Sequence, residues 1–238
     1  MASTPAPTAS SASPAAERRP QKKQKPDKLP FDLENMCDLV TFYIGPAKKK
    51  AIVHKSIVCQ ASPVLEAAFD SLFIEGQTQV YELEDTTEAA FVLFVQWIYR
   101  GRIKLVKGLA QNDDKSHEEL RIKQAALADL WILAEKLLIP ELQNRAIDLI
   151  EGYRLHYGLI SKYMAQKAYD NTCVDSPLQR YLVYVSVWML EVEAFRRSAS
   201  FYPHAMLVDI ATLSRQCLIS GSKFSSDMSQ FHVECARS

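Results

Sequence analysis

The chain has 238 residues, 48% hydrophobic and 24% charged, with 28 lysines and arginines balancing 28 aspartates and glutamates. Such a chain can bury a sufficient core without disulfides or metals, and its zero net charge gives no general attraction to nucleic acid or anionic membranes. Its longest apolar run, Tyr181 to Leu190, is about half the roughly 20 residues of a membrane-spanning helix, so we expect no membrane partner. Because the net charge is zero, we also expect no nucleic-acid partner.

The cysteines indicate a reducing compartment. They are widely spaced and form no CxxC pair, and no apolar signal-peptide segment opens the sequence. We therefore expect the protein in the cytoplasm, the nucleus or both. The five cysteines are Cys37, Cys59, Cys173, Cys217 and Cys235.

Residues 1–30 predict a disordered tail, because a segment so poor in large apolar side chains cannot offset its loss of conformational entropy on folding. The tail carries a basic cluster, which is typical of a nuclear import signal or a nucleic-acid arm but also of an ordinary solvated tail. The basic residues are Arg18, Arg19, Lys22, Lys23, Lys25 and Lys28.

The ordered part is predicted to begin with a hairpin of two strands. CDLVTFYIG, from Cys37 to Gly45, alternates and is rich in β-branched and aromatic residues, and KKKAIVH resumes the pattern. From Lys55 the apolar residues recur at three- and four-residue steps, which predicts a short helix over 55–60. Ser62 then fits the N-cap of a second helix, with Pro63 at its first position.

QVYELED, residues 79–85, predicts a third strand, and Thr87 is placed to cap the helix EAAFVLFVQWIYR, which Gly101 ends. The following RIKLV could be a short edge strand, and residues 107–118 predict a polar loop. One face of the helix should be buried, because its apolar residues recur at helical spacing. This predicted face consists of Phe91, Phe94, Val95, Ile98 and Tyr99.

Residues 119–220 predict an all-helical region. A long periodic helix ends at Pro140, which begins the next one, and three or four more helices follow Tyr153. Ser176 and Pro177 mark the start of one of them, and its apolar stripe should be mostly internal core. The stripe consists of Leu178, Leu182, Val185 and Met189. Residues 221–238 predict a flexible C-terminal tail.

No motif predicts an enzyme, a cofactor or a metal site. The chain has no glycine-rich phosphate loop and no HExxH, and the HxxC of His232 and Cys235 has no second pair in reach. Asp38, His54 and Cys59 could be drawn as a nucleophilic set, but Cys59 lies among apolar residues, where a thiol behaves as a small hydrophobe. We instead expect His54 and Lys55 to fix a strand–helix junction, with Asp38 as counter-charge to Lys55 or acceptor from His54.

Three stretches in this order resemble the BTB/POZ domain: CDLVTFYIG, AIVHKSIVCQASPVLEAAF and FIEGQTQVYELEDTTEAAFVLFVQWIYRGRI. Further along, LADLWILAEKLLIPELQNRAIDLI and YDNTCVDSPLQRYLVYVSVW are similar to the helical extension of fungal BTB proteins. The matching positions are Asp38, His54, Lys55, Ser62, Phe69, Leu83, Asp85, Phe91, Trp97, Tyr99 and Gly101.

The resemblance implies an α+β fold, in which a small three-stranded sheet surrounded by helices spans residues 34–106 and an all-helical extension follows. It also implies a non-catalytic protein–protein interaction adaptor, with a substrate-recruiting subunit of a cullin-based ubiquitin ligase as one candidate. The alternative is a nuclear transcription-associated factor, which uses the domain for corepressor binding or self-association and the basic tail for import or nucleic acid.

The resemblance also suggests the partner-binding residues. Asp38, His54 and Lys55 match polar positions near the groove of the family, and Phe73-Ile74-Glu75 aligns with the hydrophobic-x-Glu motif of cullin-binding members, although FIEGQTQ is also typical of a plain turn-flanked loop. Family dimers use a helix before the first strand. Here DKLPFDLENM is short and broken by Pro30, so we expect a weak homodimer or a monomer.

Overall fold

The computed structural model describes residues 37–104, 114–158, 160–161 and 163–235, together with Met1. The chain divides into two units, residues 1–32 and 33–238, and all the helices and strands reported below belong to the second. The predicted disordered tail with its basic cluster, the segment DKLPFDLENM and residues 105–113 lie outside the described residues.

Three strands form one sheet: β1 (Leu39–Ile44), β2 (Lys49–His54) and β3 (Val80–Leu83), in the order β2-β1-β3. The β1–β2 hairpin is antiparallel, whereas β3 lies parallel to β1. The three predicted strands are therefore confirmed. RIKLV contributes no strand in its described residues, 102–104. Ile103 is buried, but it does not belong to the sheet.

Four helices accompany the sheet: α1 (Lys55–Ala61), α2 (Pro63–Phe69), α3 (Ile74–Thr78) and α4 (Glu88–Arg100). The predicted caps are confirmed, because the Ser62 hydroxyl accepts from the Leu65 N–H and the Thr87 hydroxyl from the Ala90 N–H. Gly101 ends α4 at a φ of 61°, a left-handed conformation that glycine adopts without strain. α3 was not predicted.

The core beneath the sheet is aromatic. Phe42 of β1 is fully buried, and its ring centroid lies 5.8 Å from that of Phe69 and 5.2 Å from that of Phe91. Phe91 and Phe94 occupy the predicted buried face of α4, but Tyr99 is 42% exposed. Its position on that face was predicted wrongly, because a contact of its hydroxyl, described below, holds it at the surface.

Six α-helices form the rest of the described chain. They are α5 (Asp114–Lys136), α6 (Pro140–Tyr157), α7 (Tyr163–Asn171), α8 (Pro177–Met189), α9 (Val192–Ser198) and α10 (His204–Ser220), with 3-10 turns at Ala199–Phe201 and Met228–Phe231. The first of them begins at Asp114, inside the segment predicted as a polar loop. The Ser176 cap is confirmed by a bond from the Gln179 N–H, and Leu178, Leu182 and Val185 are buried as predicted.

A single buried hydroxyl links the sheet-containing part to the turn between α5 and α6. The Ser62 Oγ that caps α2 also donates to the Leu137 carbonyl at 2.7 Å. Both residues are almost completely shielded from solvent, so this hydrogen bond is made in a low-dielectric environment.

The C-terminal segment differs from the flexible tail predicted over 221–238. Phe231 is 4% exposed and packs its ring 5.6 Å from that of Tyr181. The Asn144 side chain donates to the Val233 carbonyl at 2.9 Å and accepts from the Val233 N–H at 2.6 Å. His232 Nε2 lies 2.8 Å from Asp148 Oδ1. Phe231 and Val233 are isolated apolar residues in a polar segment and form no periodic pattern, so this packing could not be predicted from the sequence.

No helix in the described parts of the chain is sufficiently long and apolar to span a bilayer.

Candidate protein-interaction surface

The junction between β2 and α1 is held by Tyr99 of α4. The Tyr99 hydroxyl accepts from the His54 N–H at 3.1 Å and lies 2.6 Å from His54 Nδ1. The hydroxyl can donate to Nδ1 when the imidazole carries its proton on Nε2. The predicted structural role of His54 is consistent with these contacts, since both its backbone and its ring are engaged at the junction.

Lys55 reaches across to the end of α2. Its Nζ donates to the Phe69 carbonyl at 3.1 Å and lies 3.0 Å from Asp70 Oδ1. The expected counter-charge, Asp38, was therefore predicted wrongly: its side chain is exposed, and it contributes its backbone carbonyl, which accepts from the Lys55 N–H at 2.8 Å. A cation at the last carbonyls of a helix is favourable because it neutralises the negative end of the helix dipole.

The segment after α2 presents apolar side chains to solvent. Leu72, Phe73 and Ile74 are 92%, 77% and 65% exposed, and Glu75 follows them in the first turn of α3. We name Leu72 to Glu75 the 72–75 loop. Isolated exposed hydrophobic residues are ordinary, but three in succession concentrate exposed apolar area in one short segment, a feature that marks interaction sites.

The backbone around the 72–75 loop is fixed by close contacts. The Ser71 Oγ donates to the Ala68 carbonyl at 2.7 Å and accepts from the Phe73 N–H at 3.1 Å. A Cβ added to Gly76 would lie 1.9 Å from the Ser71 carbonyl oxygen, so only glycine fits there. Gln79, at a φ of 54°, closes the segment by donating from Nε2 to the Phe69 carbonyl at 3.1 Å.

Glu75 supplies the negative charge of this surface. Its carboxylate is close enough to Tyr81 of β3 to act on it: burial, and secondly the charge of Glu75, raise the pKa of the Tyr81 phenol. Glu75 is half-buried, and its position in the first turn of α3 suits the positive end of the helix.

The predicted site residues therefore fall in two places. Lys55 lies at the end of α2, where it contacts the Phe69 carbonyl and Asp70, and Phe73 and Glu75 follow a few residues later at the start of α3. Asp38 and His54 lie at the open end of the hairpin, where His54 contacts Tyr99 and the Asp38 carbonyl accepts from the Lys55 N–H.

Sequence reasoning missed several residues of this surface. Two signals could have identified the fixed loop. One is the run LFI directly after a helix end, and the other is Gly76, four residues beyond Leu72. The bonds of Gln79 and Asp70 gave no such signal, because they join residues that no local pattern connects. The missed residues are Asp70, Ser71, Leu72, Gly76, Gln79 and Tyr99.

The residues once drawn as a nucleophilic set have separate partners. The His54 ring contacts Tyr99, whereas the Cys59 thiol is half-buried with its Sγ 3.9 Å from the Leu65 carbonyl. Of the HxxC, His232 pairs with Asp148, and Cys235 lies 3.5 Å from an Asn144 nitrogen. Across residues 37–104 and the described residues from 114 onward, no group of three His, Cys, Asp or Glu side chains could hold a metal ion.

Comparison with known families agrees with the architecture described above. The model of the BTB/POZ domain matches residues 29–152, more than half of the chain, from before β1 into α6. No curated protein matches the sequence. The fungal type of the helical region and the boundary at residue 106 stay predictions. The chain belongs to the BTB/POZ family, whose domain is a protein–protein interaction module.

Proposed function

We propose that this protein is a non-catalytic adaptor that binds a scaffold protein of the cullin type through the 72–75 loop. The observation that carries the proposal is the exposure of three consecutive apolar side chains on a backbone fixed by its neighbours. A partner that covers these side chains gains the hydrophobic contribution of the whole patch, because each of them now lies largely in water.

The fixed backbone favours binding for a second reason. A loop that is already ordered loses little conformational entropy when a partner binds, so more of the contact energy appears as affinity. Phe73 supplies the aromatic anchor that dominates many interfaces, and the Glu75 carboxylate supplies an acceptor for a charged hydrogen bond at the rim.

The other predicted partner-binding residues have different roles in this proposal. Lys55 acts by positioning, because it holds the end of α2 from which the 72–75 loop begins. The His54 ring is turned toward Tyr99 and supports the hairpin. Asp38 is exposed and remains available for direct contact.

A pull-down with a purified cullin N-terminal region tests the adaptor proposal. The double variant Phe73→Ala/Glu75→Ala should reduce retention by about tenfold or more, because it removes the anchor and the charged acceptor together. The matched control is Val174→Ala/Glu193→Ala, since both residues are also strongly exposed but lie in the helical region. Equal retention of the intact chain and both variants, or no retention of the intact chain, contradicts the proposal.

We also propose that the chain is a monomer or a weak homodimer at micromolar concentration. The sequence DKLPFDLENM is short and contains Pro30, and from this we infer that it does not supply the swapped helix of family dimers. Sedimentation across a roughly hundredfold dilution should show dissociation or a constant monomer. A dimer that persists to nanomolar concentration would contradict this.

A further inference from the structure

β2 is an edge strand of the sheet in the described part of the chain, and its outward-facing backbone groups can be identified. The His54 N–H reaches the Tyr99 hydroxyl, whereas the next N–H, of Lys55, bonds to the Asp38 carbonyl on the β1 side. Successive residues of an antiparallel pair alternate in this way. The outward residues of β2 are therefore His54, Ile52 and Lys50.

The other side of β1 gives independent support for this assignment. Thr41, which pairs with Ile52, directs its N–H to the Gln79 carbonyl on the β3 side at 2.9 Å. The Thr41–Ile52 pair therefore does not exchange hydrogen bonds, and the N–H and C=O groups of Ile52 point away from the sheet. Tyr99 satisfies the donor of His54. Among the residues that the structure describes, Lys50 and Ile52 therefore form the open part of the edge.

An apolar groove runs alongside this edge. It has a volume of ≈ 600 Å³ and lies between β2 and α4, with Ile52, Val92, Val95 and Tyr99 among its lining residues. Ile52 and Val92 are 56% and 54% exposed. An open strand edge beside an apolar groove is the arrangement in which an extended peptide gains affinity from backbone bonds and specificity from alternate side chains.

The charges around the groove limit what can occupy it. Lys48 and Lys49 are paired with Glu82 and Glu88, at 3.0 and 2.8 Å. Lys50 on the edge and Arg100 at the end of the groove are exposed cations. Lysines on an edge strand oppose pairing with a second copy of the same edge, because the like charges approach one another.

We propose that the β2 edge and the β2–α4 groove bind an extended segment of a partner protein, in which apolar and polar residues alternate and acidic residues flank them. The segment pairs with Ile52 and Lys50 as a fourth strand, places its apolar side chains on Val92 and Val95, and sets its acidic residues near Lys50 and Arg100. This site is separate from the 72–75 loop, because β3 and the adjoining α3 lie on the opposite side of β1.

The test uses the full chain and a synthetic peptide, Asp-Asp-Val-Thr-Val-Thr-Val-Asp-Asp, carrying a fluorophore. Fluorescence anisotropy should show saturable binding with a dissociation constant below about 1 mM, and Val92→Glu should weaken it about tenfold or more. Val174→Glu is the matched control, since Val174 is 95% exposed outside the groove. A peptide with lysines in place of its aspartates should bind more weakly.

Two further measurements separate strand addition from other binding. A peptide N-methylated at the amides that face β2 should lose binding, and hydrogen exchange should show the Lys50 and Ile52 amides becoming protected when the unmodified peptide is added. No saturable binding, equal binding by Val92→Glu, or binding that survives N-methylation would overturn the proposal. So would a stable dimer whose exchange protection at Lys50 and Ile52 exists without peptide, because the occupant would then be a second copy.

Discussion

The sheet-containing part, residues 37–104, and the helices from α5 onward differ in what they bury. Around the sheet the buried side chains are almost all apolar, and the buried polar ones are Ser62 and Thr86. The helical part buries polar groups throughout its core. These are Gln124, Gln143, Glu151, Ser161, Ser176, Gln179 and Ser186.

The clearest example in the helical part is a charged cluster between α6 and α8. Arg154 donates to both Glu151 oxygens at 2.6 Å, and the buried Tyr181 hydroxyl donates to Glu151 Oε2 at 3.0 Å. The two parts should therefore respond to mutation differently. The first depends on filled volume, whereas the Glu151 cluster of the second depends on each of its polar groups keeping its partner.

The largest expected effect is in the apolar core. Phe94→Ala should lower the free energy of unfolding by about 3–5 kcal/mol, because the ring is fully buried and its removal leaves a cavity. Urea denaturation measures this change. Val92→Ala is the control on the same helix, since Val92 is 54% exposed and should change stability little. A wild-type midpoint for Phe94→Ala would show that the aromatic core is not packed as described.

The polar core should respond almost as strongly to the loss of one partner. Glu151→Ala should cost about 3 kcal/mol, because it leaves the Arg154 cation and the Tyr181 hydroxyl unpaired in a buried site. The comparison is Glu193→Ala, which breaks an exposed pair with Arg196 at the same i,i+3 spacing and should cost well under about 1 kcal/mol. Urea denaturation measures both changes. If the two substitutions lowered the free energy of unfolding equally, the buried Glu151 cluster would not stabilise the helical part more than an exposed ion pair does.

The same cluster predicts a loss of stability at alkaline pH. Burial, and then the charge of Glu151, raise the pKa of Tyr181 above its usual value of 10.0. The folded protein therefore keeps a proton that the unfolded chain loses above about pH 10, so stability falls as pH rises, by up to about 1.4 kcal/mol per pH unit. Tyr181→Phe should make the slope of unfolding free energy against pH shallower by about this amount. An unchanged slope would show that Tyr181 is not shielded.

The smallest effect is expected at the surface of the sheet-containing part. His54→Ala should lower stability by about 1 kcal/mol, because the Tyr99 hydroxyl loses its contact with the ring. Thermal unfolding followed by circular dichroism measures the change, and Tyr99→Phe should give a similar value. If His54→Ala left the melting curve unchanged, the contact would be dispensable for the junction.

What the sequence predicted well was local. The caps at Ser62, Thr87 and Ser176 each depend on a hydroxyl and an N–H only three residues apart, so a short stretch of sequence is enough to predict them. The strands were also predictable, because alternation along β1 reflects its buried face.

What the sequence did not predict depends on residues distant along the chain or on segments too short for periodicity. Lys55 pairs with Asp70 rather than Asp38, a choice set by how α2 packs beside α1. α3 has five residues, fewer than two turns, and its place is fixed by the contact of Gly76 with Ser71. The Phe231 ring packs against that of Tyr181, fifty positions earlier in the chain, and no local pattern predicts such a contact.

The Ser62 hydroxyl has a consequence for how the molecule unfolds. It accepts from Leu65 to cap α2 and donates to Leu137 at the end of α5, so a helix start and a distant turn share one buried oxygen. Separating them would give up this hydrogen bond, at a net cost of about 0.5–1.5 kcal/mol. The sheet and the α5–α6 pair should therefore melt in one cooperative transition, and a fragment ending at residue 104 would not be expected to fold alone.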